Sequence, residues 1–175
     1  FDEERNLRWS RALEEAGAII ARLLADPVYR AHLADRGDRQ AVMLGYSDSN
    51  KSAGIVASRW LLRRAQEAMV ATCDAAGVQL VVFHGRGGSI CRGSSRRAGL
   101  VRGMPQGAVR GTLRETVQGE AINERYGLRP IALRSFEQSL GAVLLATAGF
   151  YGPELVDTRW RDAMGLLGQA SNLQY

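Results

Sequence analysis

The chain is short of several things, and each shortage narrows what it can be. Among 23 basic residues there is one lysine, Lys51, and the 175 residues include two cysteines, two histidines, 4 prolines and 7% aromatics. Cys73 falls in a helical pattern and Cys91 in a glycine-rich stretch, which gives neither a disulfide framework nor metal-ligand spacing, so both read as free thiols. Scarce proline, with 46% hydrophobic and 23% charged residues, excludes disordered, collagen-like and mucin-like classes and fits one domain or a piece of one. No run approaches the ~20 apolar residues of a membrane-spanning helix, and the opening Phe1-Asp2-Glu3-Glu4-Arg5 lacks the basic-then-apolar build of a signal peptide. A soluble cytoplasmic protein is expected. One segment also lacks acid altogether. From Ala75 to Arg114 there is no Asp or Glu, while Arg86, Arg92, Arg96, Arg97, Arg102, Arg110 and Arg114 lie within it. The net charge of +5 is therefore local, and arginines set among glycines suggest an anion site.

Periodicity supplies the organisation. Leu13, Ala16, Ile19, Ile20, Leu23 and Leu24 repeat at helical spacing up to Asp26-Pro27, where the helix ends or restarts. Ala41 to Tyr46 reads as a short buried strand, followed by a wholly polar tip, Ser47 to Ser52. A long helix is expected from about Ala53 to Ala76, with Ser52 or Asn50 as its N-cap, Gly77 as its stop, and Ile55, Val56, Trp60, Leu61, Ala65, Ala68, Met69 and Thr72 on its apolar side. Val78 to Phe83 reads as a second buried strand, ending in His84-Gly85-Arg86-Gly87-Gly88-Ser89. Strand, crossover helix and strand form a βαβ unit whose strands run parallel, so the two polar tips should lie side by side. Ile90 to Gly111 reads as a long loop with a helical turn around Arg97 to Val101. Thr112 to Val117 reads as a third strand, Gly119 to Arg125 as a short helix, and Ile131 to Ala148 as a helix with Leu133, Phe136, Leu140, Val143, Leu144 and Thr147 on its apolar side. A last helix runs from Thr158 to Tyr175 without a stop signal, so the chain reads as a segment of something larger.

Two constellations carry chemistry. Asp48 and Lys51, at the mouth of a parallel sheet, can hold a divalent cation and neutralise a phosphate or a developing enolate; equally, they can form a solvated ion pair worth ~0–1 kcal/mol. In the second tip Gly85, Gly87 and Gly88 let backbone approach an anion, and Arg86 offers a planar fork for phosphate or carboxylate. It is neither a dinucleotide fingerprint, since Ile90 replaces the last glycine, nor a Walker A loop. His84 beside this loop is a catalytic candidate, whereas His32, in a polar helical stretch, reads as structural. Arg-Gly repeats also bind RNA, but Arg86 to Arg110 contains no aromatic residue to stack on bases, which makes a nucleic-acid partner the weaker reading.

Val42-Met43-Leu44-Gly45-Tyr46-Ser47-Asp48-Ser49-Asn50-Lys51-Ser52-Ala53-Gly54 resembles the phosphoenolpyruvate carboxylase signature V-M-x-G-Y-S-D-S-x-K-D-A-G. Phe83 to Ser89 matches that family's F-H-G-R-G-G-S, and Leu113-Arg114, Gln118-Gly119-Glu120 and Ile131 to Arg134 continue the likeness. The resemblance implies an α/β fold, mostly helical, forming part of a (β/α)8 TIM barrel with added helices, so that residues 1–175 would be an interior segment of the C-terminal half of a larger catalytic domain. It implies carboxylation of phosphoenolpyruvate by bicarbonate to oxaloacetate and phosphate, an anaplerotic, carbon-dioxide-fixing lyase reaction that feeds the tricarboxylic acid cycle, with Mg²⁺ or Mn²⁺. By resemblance Asp48 is a metal ligand and Lys51 an active-site lysine. Arg86, with Gly87 and Gly88, binds the substrate phosphate, while His84 and Arg92 handle bicarbonate and the reacting centre. The parent protein would be a homo-oligomer, a tetramer by resemblance, and the isolated segment inactive. Ser52 stands where the family has Asp, Ser94 and Ser95 where it has glycines, and Val117 where it has a carboxylate. A diverged, non-catalytic anion- or RNA-binding module is the alternative these departures leave.

Overall fold

The computed structural model describes residues 11–85, 97–116, 119–151 and 157–174. Two short helices come first, α1 (Ala16–Ala25) and α2 (Pro27–Asp35). Pro27 restarts the helix because its missing N–H is not needed in the first turn, and the Asp26 carboxylate accepts from the Tyr29 amide at 2.9 Å as the cap. Strand β1 (Arg39–Gly45) leads into helix α3 (Tyr46–Ala75), and strand β2 (Gln79–Gly85) follows. Then come α4 (Arg97–Arg102), the two-residue strand β3 (Arg114–Glu115), α5 (Gly119–Tyr126), α6 (Arg129–Thr147) and α7 (Thr158–Gln174). This is a mostly helical α/β chain with a small parallel three-stranded sheet in the order β1-β2-β3.

β1 and β2 pair over their whole length, from Arg39 opposite Gln79 to Gly45 opposite Gly85, and β3 joins with Arg114 opposite Phe83 and Glu115 opposite His84. The expected βαβ unit is present. One face of the sheet, carrying Gln40, Leu44, Leu80, Val82 and His84, is buried in a core with Leu62, Ala65, Met69 and Cys73 of α3. On the other face Met43 is 60% exposed. Helices α1 and α7 pack on α3, and α4 packs on α6.

Three expectations need correction. The polar stretch after β1 is helical from Tyr46 onward, with Gly45 in extended conformation at the N-cap, so positions 50 and 52 lie inside the helix and not at its cap. The helix changes direction at Gly54, whose φ of 72° and ψ of 165° are open to glycine almost alone. Past the break, Ile55 and Val56, expected on the apolar side, are exposed, while Ser58, Leu62, Ala65, Met69 and Cys73 face the core. Finally, the apolar stripe of α6 is uncovered: Leu133, Phe136, Leu140 and Leu144 are all more than half exposed, and Ala142 is the buried residue of the helix.

Cys73 is a free, buried thiol, as expected, and Cys91 lies outside the described residues. Burial, with a smaller contribution from the neighbouring Asp74 charge, pushes the Cys73 thiol above its ordinary value. It stays protonated near neutrality, and stability should fall as pH rises past the ordinary thiol value, because the unfolded chain ionises first. Peptide mapping after treatment with excess iodoacetamide near neutral pH is expected to find Cys73 unmodified in the native protein and alkylated after denaturation. Rapid native labelling would contradict this.

Candidate functional site

The equal length and unshifted register of β1 and β2 bring Gly45 and Gly85 level, so whatever follows each strand starts from the same edge of the sheet. Gly85 also allows close strand approach: a Cβ there would sit 2.8 Å from Met43 Cε and 3.1 Å from the Leu44 carbonyl oxygen.

After Gly45 the chain turns at once into α3. Positions 48 and 51 lie one helical turn apart on a common face, before the break at Gly54. The turn is held by a buried relay. Ser58, after the break, donates from Oγ to Ser49 Oγ at 2.7 Å, and Ser49 Oγ donates back to the carbonyls of Gly45 at 2.9 Å and Tyr46 at 3.1 Å. Ser58 is fully buried, so this relay crosses the break where apolar packing alone would not fix it.

His84 is the penultimate residue of β2, 1% exposed, where the sequence suggested a position just beyond the strand. Its Nδ1 lies 2.8 Å from the Tyr46 hydroxyl, with ring centroids 5.7 Å apart. Its carbonyl accepts from the Thr116 amide at 3.0 Å, continuing the β2 to β3 pairing. The Arg59 guanidinium stands 5.9 Å from the Tyr46 ring centroid. Tyr46 was missed in the sequence because its partner is 38 residues away; the signal was available in two equal parallel strands ending in glycine. Arg86, Gly87, Gly88 and Arg92 lie outside the described residues, as do Ser94, Ser95 and Val117.

Several arginines of the acid-free run serve the fold. Arg110 forks onto both carboxylate oxygens of Asp74 at 2.6 Å, and its carbonyl accepts from Gln79 Nε2 at 3.1 Å, which ties this segment to the base of β2. Arg102 lies over Tyr151 and Arg114 over Phe83, each guanidinium carbon 5.3 Å from the ring centroid. The charge count therefore overstates what the run can present to an anion.

Among the described residues no group of three or more His, Cys, Asp or Glu converges as a metal site. Aspartate, the residue type at position 48, offers the hard oxygen that Mg²⁺ or Mn²⁺ accepts, but one carboxylate would be a partial set. The amide oxygen Oδ1 of Asn50 is buried without a partner among the described residues, yet two positions from Asp48 is about 200° round the helix, so it is not a co-ligand on the same face. The donor type fits a hard divalent cation; its other ligands would be substrate oxygens, water or further protein groups.

The family model described as phosphoenolpyruvate carboxylase matches residues 10–175. A phosphoenolpyruvate carboxylase of Xanthomonas oryzae pv. oryzae is 53% identical over 153 residues, which is 87% of this chain and 17% of that protein. Phosphoenolpyruvate carboxylase 2 of Chlamydomonas reinhardtii is 43% identical over 164 residues, 93% of the chain and 13% of that protein. A Thermus phosphoenolpyruvate carboxylase is 42% identical over 163 residues, again 93% of the chain and 19% of that protein. The chain thus spans less than a fifth of the length of these relatives.

Proposed function

Since this chain belongs to the phosphoenolpyruvate carboxylase family, we propose that it is a segment of a full-length enzyme that carboxylates phosphoenolpyruvate with bicarbonate, releasing oxaloacetate and phosphate. The observation that carries the reading is the level ending of β1 and β2, because it brings the turn with Asp48 and Lys51 to the sheet edge from which Arg86 continues. In a (β/α)8 barrel, which we propose for the full-length domain, catalytic groups gather at this C-terminal edge of the strands.

In this reading the bicarbonate oxygen attacks the phosphorus of phosphoenolpyruvate, and the bond from phosphorus to the enol oxygen breaks. Carboxyphosphate and the enolate of pyruvate result. The enolate carbon then takes carbon dioxide from carboxyphosphate, forming oxaloacetate and freeing phosphate. Both halves concentrate negative charge, which fixed cations must stabilise. Arg86 would grip the phosphate through its planar fork, with Gly87 and Gly88 allowing backbone amides to approach. Lys51 would neutralise the enolate or the phosphate in flight, while His84 and Arg92 would hold bicarbonate and the reacting centre. Asp48 would hold Mg²⁺ or Mn²⁺, whose bound charge would polarise the phosphate and enol oxygens. The enzyme so read is cytoplasmic and homo-oligomeric; no helix among the described residues is long and apolar enough to cross a membrane.

The test is formation of oxaloacetate by the purified full-length protein, coupled to malate dehydrogenase. A signal that requires both phosphoenolpyruvate and bicarbonate is expected, and none from the 175-residue chain alone. A full-length protein without that activity, whose segment instead bound RNA in a salt-dependent way, would support the non-catalytic alternative.

A further inference from the structure

We infer that Tyr46 is a positioning residue for His84, fixing the orientation of its imidazole in the carboxylase; the inference rests on the carboxylase reading above. The Tyr46 hydroxyl and His84 Nδ1 are 2.8 Å apart, and the two residues are 3% and 1% exposed. A buried hydroxyl stripped of its partner costs about 1–3 kcal/mol, so the pair holds together strongly. With Nδ1 committed to Tyr46, any contact His84 makes with substrate runs through Nε2.

Two kinds of restraint on His84 are visible among the described residues. The strand fixes its backbone, through the β1 and β3 register and the Thr116 amide on its carbonyl. The Tyr46 contact acts on the ring itself, whose rotation the strand leaves open. Tyr46 is also the first residue of α3, two positions before Asp48, while His84 stands two positions before Arg86. The contact therefore fastens the start of the segment that carries the proposed metal and lysine positions to the end of the strand that leads to the phosphate-binding arginine. Removing one oxygen from Tyr46 would loosen the ring without changing local charge or strand pairing.

The experiment is a double-mutant cycle in the full-length enzyme with Tyr46→Phe and His84→Asn, recording kcat, KM for each substrate and the melting temperature. Tyr46→Phe is expected to raise the KM for bicarbonate about tenfold and to leave the KM for phosphoenolpyruvate within about twofold. The double variant should be no worse than His84→Asn alone, because two groups that act as one unit are not additive. A merely structural role would lower the melting temperature and the yield of active enzyme with both KM values unchanged, and that outcome overturns the inference. So do additive losses. If His84→Asn is impaired and Tyr46→Phe is not, the inference falls and the carboxylase reading stands. If His84→Asn is itself unimpaired, the role assigned to His84 falls and the inference with it. Should Tyr46→Phe not accumulate as folded enzyme, Tyr46→Leu is the second hydroxyl-free variant, read in the same way.

Discussion

Lys51→Ala in the full-length enzyme is expected to lower kcat for oxaloacetate formation by a factor on the order of a thousand, the scale on which removal of one preorganised charge partner slows a reaction that develops an oxyanion. Folding should be intact, because position 51 lies in the first turns of α3, before the break at Gly54, and the core residues Leu62, Met69 and Cys73 come after that break. Lys51→Arg sharpens the test. It keeps the charge but replaces a compact ammonium with a broad planar fork, so it should recover little activity if the ammonium must follow a moving charge. Lys51 is the one lysine in a chain that otherwise uses arginine for its basic residues, which fits a need for an ammonium at that position. Steady-state kinetics and far-ultraviolet circular dichroism decide the matter: unchanged kcat in Lys51→Ala removes this residue from the chemistry.

The second large effect is expected at Gly54. Its φ of 72° and ψ of 165° are unavailable to residues with a Cβ except at a strain of about 1–3 kcal/mol. Alanine there must bear that strain or straighten α3. A straightened helix would swing the turn from Tyr46 to Ala53 off the sheet edge and pull Ser49 from Ser58, 2.7 Å apart across the break. Gly54→Ala should therefore lower the denaturation midpoint and reduce kcat together. Tighter coupling appears in Ser58→Ala, which is expected to move activity in the same direction with less loss of stability. Gly54→Ala with wild-type stability and turnover would show that the break does not hold the site.

The βαβ unit was legible because two short apolar runs flank one long helical pattern, and chain connectivity then leaves one sensible topology. The start of α3 was not. Serine and asparagine are common caps, and a polar run after a strand reads as a turn, yet Ser49 spends its hydroxyl on the helix's own first carbonyls and Gly45 takes the cap position. Burial at the start of the straight part of α3 was also misread: Ile55, placed on the apolar side by its residue type, is 60% exposed. In α6 the apolar period was read correctly but its burial was not, because periodicity reports that a face wants cover and says nothing about which element covers it. The residues that carry the proposed chemistry were found through spacing and motif. The register, with Gly45 opposite Gly85, levels the two strand ends, and the tie between Tyr46 and His84 came from side-chain geometry that no local pattern encodes.

The bare side of the sheet has a consequence for how the protein reaches its native state. Parallel sheets occur almost always with both faces covered, and here Met43 is exposed and Val81 and Phe83 are half-buried on the face opposite α3, while the stripe of Leu133, Phe136, Leu140 and Leu144 on α6 is exposed. Apolar surface left open on this scale favours a cooperative folding unit that includes elements closing over it. A substitution at Met43 or Phe136 would then weaken the closure of the larger domain more than the packing of the sheet on α3.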